Sequence, residues 1–135
     1  MANVSRIKLE NTTYDIKDEI ARNHDNYSTS EQVIGTWINN KPLYRKVIEV
    51  NNIVLDTNTT CGNISNISKV VKIDGIITSS TGFNMSIGSI YLSTWNRNNY
   101  VWIDSGNGDV KYNIRGDWTT INKMIVIVEY TKSTD

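Results

Sequence analysis

The chain has 135 residues, with 14 Lys and Arg against 14 Asp and Glu, one His, one Cys and one Pro. That length suits one compact domain, or a small domain with a short appendage, and is enough to bury roughly two thirds of the unfolded surface. The zero net charge argues against a basic nucleic-acid-binding surface, the lone Cys61 excludes an intrachain disulfide framework, and no Cys/His cluster fits a structural zinc.

Met1 to Glu10 is polar and charged, unlike a signal peptide. No apolar run approaches the roughly 20 residues that span a bilayer. The apolar residues are mostly Ile, Val, Tyr and Trp, with Leu only at 9, 43, 55 and 92 and Ala only at 2 and 21. Scarce helix formers and abundant β-branched and aromatic residues predict a mainly β chain. Asn, Ser and Thr cluster between the apolar runs, where turns belong.

Ile7 and Leu9 alternate with polar neighbours, and Tyr14 and Ile16 do so again beyond Glu10–Thr13, which predicts a small hairpin. Asp15 to Asn23 is the one helical signal. Asp15 serves as a cap, Asp18 and Glu19 lie near the positive dipole end, and Ile16 and Ile20 make a single apolar stripe. So short a helix is marginal alone in water, so its stripe is expected to pack on something else. His24 to Ser30 reads as a linker. Residues 1–30 thus differ in pattern from the β-rich remainder, 31–135, hereafter the head.

In the head, Gln32–Ile38 and Leu43–Val50 flank Asn39-Asn40, which tolerates positive φ and predicts a tight hairpin, with Pro42 limiting pairing just beyond it. Asn52–Asp56, Lys69–Thr78, Met85–Trp95, Tyr100–Asp104, Val110–Arg115 and Lys123–Thr131 are the further expected strands, with a bulge or bend at Gly75. The run Met124–Tyr130 is apolar on both faces and is expected at the centre of a sheet. About eight strands separated by Gly, Asn and Ser turns predict an antiparallel, jelly-roll-like β-sandwich.

Catalytic signals are thin. His24 sits in the linker and Cys61 in an expected loop, Asn58–Gly62, so both read as structural or incidental. No spacing selects a carboxylate pair among Asp74, Asp104, Asp109, Asp117 and Glu129. Asp104–Asp109 fails the calcium-loop spacing, because Gly106 and Gly108 stand where oxygen ligands belong, and it reads as a hairpin loop. No phosphate-binding glycine motif occurs. No enzyme activity, cofactor or metal is expected.

The aromatic residues say more. Alternation puts Tyr91, Ser93 and Trp95 on one face of their strand, and Tyr100, Trp102 and Asp104 on one face of the next, opposite Val101 and Ile103. With Asn96–Asn99 as the connecting loop, Trp95 would pair with Tyr100 and Ser93 with Trp102. Such an aromatic patch fits either a subunit interface or second buried face, or a ligand platform. Rings beside polar side chains suit sugar stacking, so Trp95, Arg97, Asn98, Asn99, Tyr100 and Trp102 are the candidate glycan contacts.

Two stretches carry a resemblance. Tyr27 to Lys46 resembles the segment Y-S-T-x-E-x-x-x-G-x-W-x-[DN]-G-K-P-x-Y-x-[RK] of bacteriophage fibre, baseplate and receptor-binding proteins, through Tyr27, Ser28, Thr29, Glu31, Gly35, Trp37, Asn39, Lys41, Pro42, Tyr44, Arg45 and Lys46. It departs at Ser30, where spacing varies, and at Asn40, where Gly is commoner. Ile7 to Arg22 resembles the segment I-x-L-x-G-x-x-Y-x-I-x-D-x-x-A-R near the start of phage tail and fibre modules, with Asn11 replacing its Gly. Residues from Thr57 onward are not covered.

The resemblance implies a virion structural protein, commonly a homotrimer, with no catalytic residues to transfer. It implies that Ile7, Leu9, Tyr14, Ile16 and Ile20 serve trimerisation or attachment to capsid, tail or baseplate proteins. Gly35, Trp37, Pro42 and Tyr44 would be structural hairpin residues. The expected role is a short trimeric fibre or spike that attaches to a bacterial surface through carbohydrate. A head fibre or capsid decoration protein with a purely structural role is the alternative. In either case the expected location is the virion, assembled in the host cytoplasm.

Overall fold

A computed structural model of the protein describes residues 6–9, 12–15, 26–88, 90–91, 97–115 and 120–135, with side chains described over 26–88, 99–115 and 120–135. The described residues contain no helix and eleven strands, all paired antiparallel. The β-branched bias of the chain thus has its expected outcome.

At the N-terminus, β1 (Arg6–Leu9) and β2 (Thr12–Asp15) form the expected hairpin, with Ile7 opposite Tyr14 and Leu9 opposite Thr12. Of the expected helix only Asp15 is described, as the last residue of β2; Ile16 and Ile20 lie outside the described residues.

The next hairpin joins β3 (Gln32–Thr36) to β4 (Pro42–Val50). Asn40 adopts the expected positive φ, 62°. The Trp37 N–H donates to the Lys41 carbonyl at 2.8 Å, and the Asn40 N–H to the Trp37 carbonyl at 2.9 Å. The Asn39 side chain accepts from the Lys41 N–H at 3.1 Å, closing the turn locally. Pro42 opens its strand opposite Thr36, a position a residue without an N–H can occupy. The register slips between Val33 and Gly35, so the second glycine-flanked half of β3 carries a bulge.

The remaining strands are β5 (Thr59–Asn63), β6 (Ile67–Ser79), β7 (Asn84–Ser86), β8 (Ile90–Tyr91), β9 (Arg97–Ile103), β10 (Asp109–Arg115) and β11 (Ile121–Lys132). They build a five-stranded sheet in the order β3-β4-β11-β6-β7 and a four-stranded sheet in the order β5-β10-β9-β8. As its two-sided apolar sequence predicts, β11 lies at the centre of its sheet, between β4 and β6.

The two sheets share one core. Ile48 from β4, Ile77 from β6, and Met124, Val126, Val128 and Tyr130 from β11 meet Val110, Tyr112 and Ile114 from β10. Strict alternation sends these residues inward and their neighbours outward. Both large buried tyrosines have a partner for the hydroxyl: Tyr112 accepts from the Val54 N–H at 2.9 Å, and Tyr130 donates to Glu31 at 2.5 Å. Where β5 nears β4, Gly62 leaves room for Ile48, whose Cδ1 lies 2.9 Å from where a Cβ would stand. The arrangement is mainly β and consistent with a β-sandwich.

Four expectations are corrected. Asn52–Asp56 is not a strand: Asp56 has a φ of 59° and its N–H bonds the Ile114 carbonyl, so the segment is held as an irregular flank of β10. The strand lies instead at Thr59–Asn63, where a loop was expected. Its small polar residues hide the period, but pairing to β10 organises it. The run expected as one strand over Met85–Trp95 divides into β7 and β8, which belong to different sheets, with Gly88 at a φ of 84° between them.

Gly75 is not a bulge. The β6–β11 ladder runs through it in register, Val126 opposite Gly75. Its conformation and crowding explain the residue: φ is 157°, and a Cβ would run into the Ile125 carbonyl oxygen and the Ile87 side chain.

Candidate functional site

On the outer face of the four-stranded sheet, Val101 and Ile103 turn into the core, as alternation predicts, which leaves Tyr100 and Trp102 on the opposite face. Tyr100 is 45% exposed and Trp102 partly exposed. The register brings Asn113 of β10 beside Tyr100 and Lys111 beside Trp102, and Thr60 of β5 lies next to Lys111 on its far side. The Lys111 ammonium stands 3.5 Å from the Asp104 carboxylate.

Asn113 is buried even though its neighbours Tyr112 and Ile114 take the core face. Its amide nitrogen donates to the Asn58 side chain at 2.6 Å. Its side-chain oxygen is enclosed and has no partner among the described residues. A buried acceptor in that condition is uncommon and calls for a reason.

Among the expected glycan contacts, Asn99 is corrected. It is 1% exposed, and its side-chain oxygen accepts from the Gly88 N–H at 2.5 Å, so it braces the chain ahead of β8. The expected hairpin register is also corrected. β8 pairs Ile90 with Asn98 and Tyr91 with Arg97, which is not the register that Trp95–Tyr100 and Ser93–Trp102 pairs would require, and Ser93 lies outside the described residues. The Asn-rich stretch Asn96–Asn99 looks like a turn, yet Arg97–Asn99 open β9, where Asn99 makes a buried bond. Trp95 lies outside the described residues. Arg97 and Asn98 have described backbone only, in β9.

Sequence reasoning missed Asn58, Thr60, Lys111 and Asn113. The alternation Val110-Lys111-Tyr112-Asn113-Ile114 already separates two faces, but which strand lies alongside is set by long-range register, which no local signal carries.

The outer face of the five-stranded sheet has a different character. Ile125 of β11 lies opposite Ile76 of β6, and both are prominently exposed, at 43% and 48%. Ile127 lies opposite Val47 of β4. Tyr27, Ser28 and Thr29 run beside β4, where the Val47 N–H donates to the Ser28 carbonyl at 2.9 Å. An open groove of about 340 Å³ results, lined by those three residues with Val47, Glu49, Ile125 and Ile127. Two charge pairs flank it, Arg45 with Glu129 at 2.9 Å and Lys72 with Asp74 at 3.7 Å, and Glu49 adds an exposed carboxylate to its lining. The Arg45 guanidinium also stacks 4.5 Å from the Tyr27 ring centroid.

The hairpin residues Trp37 and Tyr44 do structural work. Tyr44 stacks on Tyr130, with ring centroids 5.8 Å apart, and the Lys69 ammonium lies 5.8 Å from the Trp37 ring. Near them Glu31 receives the Tyr130 hydroxyl and the Lys132 ammonium, each at 2.5 Å. Burial alone would raise the Glu31 pKa, but these two partners outweigh it and hold the carboxyl below its ordinary value. Burial, reinforced by Glu31, raises the Tyr130 hydroxyl; burial, reinforced by Asp135, raises that of Tyr44.

Cys61 lies in β5 with its thiol 3.4 Å from the Val110 carbonyl, and burial pushes it up to about 11, the opposite of an activated nucleophile. Asp104–Asp109 connects β9 and β10 as the expected hairpin loop. Its own groups satisfy it: Gly106 N–H to Asp104 at 3.1 Å and Asp109 N–H to Asn107 at 3.0 Å. Among the described residues no three His, Cys, Asp or Glu gather as a metal site, and no helix is long and apolar enough to cross a membrane. His24 lies outside the described residues.

No protein family, no curated protein and no solved structure matches the chain.

Proposed function

We propose that this chain is a bacteriophage virion structural protein, a short homotrimeric fibre or spike. Residues 1–30 mount it on other virion proteins, and a jelly-roll-like β-sandwich head, 31–135, is displayed for attachment to carbohydrate on the bacterial surface. The observation that carries the reading is the apolar patch of Ile76 and Ile125, both prominently exposed, with the partly exposed Ile127, on a sheet face that a free-standing head would leave largely in water. The charge pairs Arg45–Glu129 and Lys72–Asp74 beside the patch each sum to zero, which suits contact with an identical surface. The resemblance of Tyr27–Lys46 to fibre and baseplate segments gives further support, because that stretch spans the β3–β4 hairpin and one wall of the groove.

Sedimentation equilibrium tests the reading. The chain is expected to sediment as a trimer at micromolar concentration, and the Ile76→Glu, Ile125→Glu double variant as a folded single subunit with an unchanged β-sheet circular dichroism spectrum. A well-folded wild-type monomer at that concentration would overturn the proposal.

A further inference from the structure

Resting on the attachment reading above, we propose that the outer face of the four-stranded sheet binds a neutral hexopyranose. Trp102 and Tyr100 provide the stacking surface, and Asn113 and Asn58 provide the hydroxyl contacts.

Two residues apart on one strand, the rings of Tyr100 and Trp102 stand roughly 7 Å from each other, a span comparable to one sugar ring. A pyranose presents an apolar face of C–H groups and an equatorial rim of hydroxyls. Its recognition therefore needs a flat apolar platform and amide groups at the edge, which can both donate and accept. Both are present. The partly exposed rings lie on β9, and the Asn113 amide lies directly across the ladder from Tyr100.

The unpaired Asn113 oxygen is the second observation. It faces out of the core, is enclosed, and lacks a donor among the described residues. Its companion Asn58 is exposed and lies outside the strands, so a ligand can displace the Asn58 side chain without disturbing the ladder. A sugar hydroxyl entering there supplies the missing donor, its O–H hydrogen-bonded to an oxygen that water does not reach. Lys111, across the ladder from Trp102, is countered by Asp104. That balance favours a neutral sugar over a uronic or sialic acid.

The test is a titration of the isotopically labelled full chain with methyl glycosides of glucose, galactose and N-acetylglucosamine, and separately with glucuronate, followed by amide and indole NMR signals. Saturable shifts of the Trp102 indole and the Asn113 and Asn58 side-chain amides are expected at millimolar concentrations of at least one neutral sugar. Trp102→Ala and the milder Tyr100→Ala should each weaken that binding about tenfold, and Phe83→Ala, at an exposed position between β6 and β7 of the other sheet, should leave it unchanged. Absence of saturable shifts with every neutral sugar overturns the proposal, as do shifts that map elsewhere or glucuronate binding the tighter.

Sedimentation of the same samples separates this result from the trimer question. Sugar binding by a monomeric chain sustains the site and removes the trimer. A trimer that dissociates on Tyr100→Ala, with no sugar response in the wild type, makes this face a subunit contact and removes the site.

Discussion

The two sheets share a core but differ on the sides turned away from it. The five-stranded sheet presents branched aliphatic side chains, Ile76, Ile125 and Ile127, flanked by the charge pairs Arg45–Glu129 and Lys72–Asp74. The four-stranded sheet presents Tyr100 and Trp102 among amides, with one amide oxygen unpaired. Aliphatic groups offer area but no direction, and so suit burial against another protein surface. Rings edged by amides offer direction with little area, and so suit a small hydroxylated ligand. One alternating pattern, applied to two strands of different composition, therefore yields two surfaces of different chemical character.

The largest effect should come from breaking the sheet that carries the aliphatic face. Gly75→Ala places a methyl against the Ile125 carbonyl and the Ile87 side chain, at a φ of 157° that L-residues seldom adopt. Backbone strain and overpacking add here, for a loss of about 4 kcal/mol in urea denaturation. Gly82→Ala, also at positive φ (85°) but with open space around it, is the control and should cost about 1 kcal/mol. Equal losses at the two sites would show that crowding at Gly75 is unimportant.

A smaller pair of changes tests the faces of a single strand. Met124 and Ile125 are neighbours in β11, one 1% exposed and the other 43%. Met124→Ala should cost about 3 kcal/mol, since it leaves a cavity in the shared core. Ile125→Ala should cost less than about 1 kcal/mol in the isolated head. If the proposed trimer uses this face, the Ile125 effect instead grows with protein concentration, and the Met124 effect does not. Comparable, concentration-independent losses at both positions would mean that the outward face of β11 is covered within one chain.

These contrasts also mark how far the sequence could be read. The inward and outward sides of β9, β10 and β11 were legible, because period-two alternation is local: Val101 and Ile103 turn inward just as Val126 and Val128 do. The β3–β4 turn was legible because Asn39 and Asn40 determine it with their own atoms. What depends on a distant partner was not. The β8–β9 register rests on Asn99 reaching Gly88, β5 is organised by β10 although its sequence looks like a loop, and Gly75 answers to a carbonyl fifty residues away in sequence. The candidate site was half legible for the same reason. Its rings come from one strand and its amides from two other segments, and only the fold joins them.

The smallest expected effect concerns how the chain entering the head is fastened beneath both faces. Glu31, just before β3, holds Tyr130 and Lys132 of β11, tying the first residue of the head to its last strand. Its folded pKa is lowered below the ordinary 4.5, so the ionised carboxylate is the form that stabilises the fold. The contribution is complete above 4.5 and is lost as pH falls through the lower folded value. Glu31→Gln keeps the shape but removes the charge, and the side chain is partly solvated, so the penalty near neutral pH should be about 1 kcal/mol at most. That corresponds to roughly 3–5 °C in melting temperature for a chain of this size. The gap between wild type and variant should close as the buffer is taken well below 4.5, because protonation then removes the same charge from the wild type. A gap that persists or widens in acid would mean that Glu31 acts through packing, and that the joint between the entering segment and β11 does not depend on its charge.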